Sequence, residues 1–153
     1  MSFDLLTTAT DCEIISTRIV NANIECVFET WSNPVHLKKW WGPAGFTNTF
    51  LEFDFQIGGK WQFIMHAPDK GNFANECVYI KIEKPSFIAW QRISKPLFQV
   101  HAKFEEISSD KTKIIFKMAF ETSKDCIKLK PYVLDKNEEN FDRLEKVLDE
   151  MNA

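Results

Sequence analysis

The side chains best suited to metal ligation or nucleophilic attack in this 153-residue chain are three histidines, His36, His66 and His101, and four cysteines, Cys12, Cys26, Cys77 and Cys126. Their spacing supports neither chemistry. No two histidines stand in the H-E-x-x-H arrangement that sets both imidazoles on one helix face, so no metal site is expected. His66 ends a strand pattern just before "APD", a loop-edge position, and His101 alternates with Gln99 and Lys103 on the outer face of its strand. The cysteines are scattered without a C-x-x-C pair in a chain long enough to build a core without staples, and are expected to be free, mostly buried thiols. No G-x-S-x-G is present to signal a serine nucleophile. Gly58-Gly59 leads into the strand pattern "KWQF" and not into a helix, so it is no phosphate loop. Glu52, Asp54, Glu105 and Glu106 lie at strand ends or on mixed faces, where solvated charge is the simpler reading than acid–base catalysis. No catalytic residue and no cofactor are expected.

The remaining chemistry is that of an apolar pocket. The chain holds 14 Phe and 5 Trp against 2 Tyr, so its interior is built from bulky rings with few polar handles. Trp61, Phe63 and Met65 alternate along one strand and Phe116 and Met118 along another, and both sets can face Phe141 and Leu144 of the last helix. Such walls fill space or enclose it, and thioethers adapt to varied contents. Tyr79 and Trp90 each add one donor on a large apolar body, suited to orienting a ligand. Trp40 and Trp41 precede a Gly-Pro break; helical neighbours point ~100° apart, so one locks its helix against the sheet and the other lies nearer a cavity mouth or the surface.

The elements that must hold these residues follow from periodicity. "EIISTRIV" reads as a first strand, and "IECVFETW" and "NPVHLKKWW" as two short helices, the second capped by Asn33, begun by Pro34 and ended at Gly42-Pro43. Six strands follow between Phe46 and Thr122, with a hairpin at the glycine pair; "TKIIFKMAF" places Ile114, Phe116, Met118 and Phe120 on one face. The closing segment from Asp135 sets Asp135 and Glu138 at capping-box spacing and Phe141, Leu144, Val147, Leu148 and Met151 on one stripe, predicting a helix that crosses the sheet. One domain spanning residues 1–153 is expected, with about 1–12 a flexible N-terminal segment.

The formal net charge of −3 offers no broad basic field for nucleic acid or anionic membrane. No apolar run approaches the ~20 residues of a spanning helix and the N-terminus lacks a signal pattern, so a cytoplasmic protein is expected. We expect a monomer or weak homodimer.

The stretches "WSNPVHLKKWWGPAGF", "DFQIGGKWQFIMHAPD" with Asn75 beyond it, and "IEKPSFIAW" resemble the family named after the C-terminal domain of the Hsp90 ATPase activator, within the START/Bet v 1-like superfamily. The resemblance implies an α+β helix-grip fold: a curved antiparallel sheet of about seven strands, two short helices after the first strand, and a long C-terminal helix, often around an apolar cavity. Gln56, Lys70 and Phe73-Ala74 stand where the family often has Arg, Gly and Tyr-Pro, so no polar ligand contact is carried over at that hairpin. Fold likeness selects no single activity. The leading expectation is non-catalytic binding of a small apolar or aromatic molecule between the sheet and the last helix. A protein-interaction module resembling a chaperone activator, with a protein partner, comes second, and a cyclase-like enzyme third.

Overall fold

The computed structural model describes residues 4–5 and 13–152; the expected N-terminal segment falls mostly outside them. The chain runs β1 (Ile14–Val20), α1 (Ile24–Ser32), α2 (Pro34–Trp40), β2 (Thr47–Phe53), β3 (Lys60–His66), β4 (Asn72–Glu83), β5 (Phe87–Arg92), β6 (Phe98–Ser108), β7 (Lys111–Phe120) and α3 (Ser123–Met151). The strands form one antiparallel sheet in the order β1-β7-β6-β5-β4-β3-β2, with register shifts at Phe50/Glu52, Tyr79/Lys81 and Glu106/Ser108. Such bulges bend the strands that carry them.

The cap residues act as their types predict. Asn23 accepts from Cys26 N at 2.7 Å to start α1, and Asn33 accepts from Val35 N at 3.0 Å to start α2 behind Pro34. At the tip between β2 and β3, Gly58 has φ +86° and a Cβ on Gly59 would collide with the Asp54 carbonyl, which explains why two glycines stand there. This tip docks on β4: Gly58 N donates to Tyr79 O (2.8 Å) and Tyr79 N to Gly59 O (3.0 Å).

α3 lies over β1 and β7 and against both short helices. Phe141, Leu144, Val147 and Leu148 are its buried stripe. Arg18 of β1 fixes its outer side, pairing with Glu138 (2.9 Å), Asp142 (2.8 Å) and Glu145 (3.2 Å), one helical turn apart in succession. The structure departs from the sequence expectation at two places. The last helix begins at Ser123 instead of Asp135, continuing through Pro131, so Asp135 and Glu138 are interior residues and no capping box forms. A proline inside a helix reads from sequence as a stop, yet the turns on both sides hold. The expectation of free thiols fails for Cys126, which is disulfide-bonded to a residue outside those described, whereas Cys26 and Cys77 are free. Spacing along the chain gave no sign of that approach in space.

Candidate functional site

The inner face of the sheet assembles the site by register. Phe63 of β3 pairs with Asn75 of β4, Cys77 with Arg92 of β5, and Val100 of β6 with both Trp90 and Met118. These inward side chains, staggered over neighbouring rows of the sheet, form one patch facing α3 and the loop after α2. Between them lies a cavity of about 260 Å³. Trp41, Phe63, Met65, Trp90, Phe116 and Met118 form its apolar wall, extended by Phe98 and Val100. The polar groups on it are Asn75, Arg92, Cys77 and, from α3, Lys136, Asn137 and Asn140. It reaches the surface beside the exposed Lys136.

The two adjacent tryptophans point different ways, Trp40 closing α2 and Trp41 following it in extended backbone. Trp40 is 1% exposed and donates from Nε1 to Thr30 O at 2.8 Å, locking α2 onto α1. Trp41, just past the helix, turns into the cavity and meets Trp61 (5.3 Å between ring centroids), Trp90 (5.7 Å) and Phe116 (6.3 Å). The residues expected as walls thus fall in two groups. Trp41, Phe63, Met65, Trp90, Phe116 and Met118 come together around the cavity, while Trp40, Trp61, Tyr79, Phe141 and Leu144 lie behind it as packed core. Trp61 faces inward like Phe63, but Phe63 stacks on it at 4.3 Å and Trp41 covers it. Tyr79 is closed off by Phe55 at 4.9 Å and Trp90 at 6.0 Å. Phe141 and Leu144 sit further along α3, Phe141 edge-on to Phe116 at 6.3 Å.

Sequence reasoning missed the polar side of the cavity. Arg92 shares strand parity with Trp90 and therefore points inward, a signal that its place at the strand end concealed. Its Nη1 donates to Asn75 Oδ1 and its Nη2 to Lys95 O at 3.1 Å, while Nε is buried without a partner among the described residues. The guanidinium also lies 5.7 Å from the Phe98 ring centre. Burial lowers the Arg92 pKa from its ordinary value. Burial pushes the neighbouring Cys77 thiol up to about 12, so it stays protonated and is a poor nucleophile near neutral pH. Trp41 Nε1 is a second buried donor of a wall residue without a partner among those described.

The roof is held from α3. Arg143 donates to Lys39 O (2.8 Å), Trp41 O (3.3 Å), Gly42 O (2.8 Å) and Pro43 O (3.0 Å), and Asn140 accepts from Gly42 N at 3.0 Å. These bonds satisfy carbonyls left open at the end of α2. Gly42 has φ +103°, and a Cβ there would come within 2.8 Å of Met65 Cε, so the close approach of roof and wall needs glycine.

The histidines stand apart from the cavity lining. His66 bridges Thr49 Oγ1 (2.8 Å) and Asn72 Oδ1 (2.6 Å), tying three strand ends together. His101 is on the outer face beside Gln99 Oε1 at 2.8 Å, and is 9% exposed. Glu52, Asp54, Glu105 and Glu106 also lie off the cavity. Among the described residues no three His, Cys, Asp or Glu side chains gather as metal ligands. No helix among them is long and apolar enough to cross a membrane.

A sheet gripping a long C-terminal helix behind two short ones is the START/Bet v 1-like architecture, and comparison with known proteins narrows it. The sequence model described as "Activator of Hsp90 ATPase homolog 1-like protein" matches residues 21–149, and the chain belongs to that family. Solved structures share the fold at low identity. A protein from Nitrosomonas europaea superposes with a TM-score of 0.84 at 17% identity, over 92% of this chain and 96% of that one. One from Arthrobacter aurescens gives 0.83 at 21% identity, over 91% and 87%. An AHSA1-like protein from Aeromonas hydrophila gives 0.73 at 17% identity, over 92% and 94%. Among curated proteins no sequence matches.

Proposed function

We propose that this protein binds a small apolar or aromatic molecule, without transforming it, in the cavity between the sheet and α3. The observation that carries this reading is an opening of about 260 Å³ walled by rings and thioethers in an interior otherwise closely packed. Protein interiors normally leave few voids larger than a water molecule. The volume falls just under the ~300–1,000 Å³ of common ligand pockets, which favours a compact guest of one or two rings or a short chain. The chemistry of the wall supports binding over catalysis: its thiol is held protonated, and among the described residues the cavity lining includes no carboxylate or imidazole to move a proton.

Screening small aromatic and fatty compounds by thermal shift and tryptophan emission tests the proposal. Trp41 and Trp90 line the cavity, so an occupant changes their surroundings directly. A binder at 100 times its Kd raises stability by about 2.7 kcal/mol. If no compound moves either signal, the reading fails and a protein-interaction module takes its place.

A further inference from the structure

The cavity is apolar on most sides but carries an arginine at the end of β5. Arg92 is half-buried, and the oxygens that receive its hydrogen bonds, Asn75 Oδ1 and Lys95 O, belong to an amide side chain and a peptide. No carboxylate pairs with it among the described residues. Glu76, next to its cross-strand partner Cys77, is engaged by Lys60 at 3.4 Å. A guanidinium has five N–H donors in a planar fork suited to a carboxylate, and two neutral acceptors leave part of that capacity unused. Buried charges in proteins are ordinarily paired.

The second charge at the cavity has the same sign. Lys136 reaches its rim from α3, and its partner there, Glu139 Oε2 at 3.8 Å, belongs to a residue off the cavity lining. Asn137 and Asn140 lie beside Lys136 on the same helix and are neutral. Among the described residues the lining therefore holds two cations and no anion around an otherwise greasy opening, an arrangement that favours a guest with an apolar body and one negative end.

Resting on the reading of the cavity as a binding site, we propose that its ligand is a small amphipathic acid, its ring or chain against Trp41, Phe63 and Phe116 and its carboxylate on the Arg92 guanidinium. The same geometry disfavours an organic cation, which would add a like charge beside Arg92 and Lys136.

The test compares 2-naphthoate with its neutral isostere 2-naphthamide by isothermal titration calorimetry near pH 7.5, on wild type, Arg92→Met and Arg92→Gln. Expected is a preference of about 10-fold or more for naphthoate in the wild type, the scale of one charge-assisted pair. It should disappear in both variants while naphthamide binding persists. On the wild type alone, raising the salt concentration should weaken naphthoate and leave naphthamide unchanged, an arm that needs no variant to fold. Equal binding of the two probes by the wild type, or a preference that survives in both variants, overturns the assignment of the acid while leaving the cavity reading intact. If neither probe binds the wild type, the cavity reading falls and this inference with it.

Discussion

Replacing one phenylalanine at a time distinguishes a preformed opening from a packed core. Phe141 and Phe63 are almost equally buried, at 2% and 3% exposed, but Phe141 is surrounded by protein whereas Phe63 has one side on the cavity. Phe141→Ala loses ~1.5–3 kcal/mol of apolar burial. The vacated space of ~100 Å³, at ~24 cal/mol per Å³, adds ~2.4 kcal/mol. The expected cost is therefore ~4–5 kcal/mol, near the top of the usual range for such truncations. Phe63→Ala loses its stack on Trp61 at 4.3 Å, but the space it leaves merges with an opening that already reaches the surface at Lys136. Water can enter, the void contribution drops, and ~2–3 kcal/mol is expected. Urea unfolding followed by tryptophan emission measures both, and a difference of ~2 kcal/mol corresponds to roughly 4–8 °C in Tm for a chain of this size. Equal costs, within about 0.5 kcal/mol, would refute the reasoning, because Phe63 would then be as tightly enclosed as Phe141.

Two further outcomes follow from the polar groups. Arg143→Ala strips four carbonyls around the cavity roof of their donor and should cost ~2–3 kcal/mol, with faster amide exchange at Gly42; a loss under about 0.5 kcal/mol would show that water replaces the guanidinium without penalty. His101 is held at a pKa of about 4, against 6.5, by burial and by Lys117, with Glu13 opposing. The folded state therefore keeps the ring neutral where the unfolded chain protonates it, so its contribution is complete above pH 6.5 and lost as pH falls towards 4. A fully desolvated ring would account for ~3 kcal/mol over that window, and the solvent that reaches it reduces this to about 1–2 kcal/mol. His101→Asn should remove that share of the acid sensitivity, and an unchanged stability difference between wild type and variant from pH 7 to 4 would contradict it.

The strands were legible because their inner and outer faces differ: Ile114, Phe116, Met118 and Phe120 of β7 are all buried, and the register they predict places them towards α3. Asn33-Pro34 and Gly42 marked the limits of α2 through caps that act locally. Local signals misled at the start of the last helix, where Asp135 and Glu138 have capping-box spacing but lie inside an α3 that begins at Ser123. The cavity was harder to foresee for a physical reason. Parity tells which face a side chain takes but not whether a neighbour covers it, so Trp61 and Phe63 looked alike, and only the fold shows that Phe63 shields Trp61. Arg92 was passed over because a charged residue at a strand end is usually solvated, although its parity with Trp90 already aimed it inward.

Filling the cavity tests its role most directly. Val100 lies on the wall opposite α3 and is 2% exposed. Val100→Phe should place its ring in the opening, leave stability unchanged or higher, and abolish the binding of a neutral aromatic probe such as indole, which the wild type should take up at one site by isothermal titration calorimetry. A wild type that binds no indole, a variant that binds it equally well, or a variant destabilised by the ~1–3 kcal/mol typical of an overpacked core would contradict the existence of a receptive cavity at this position.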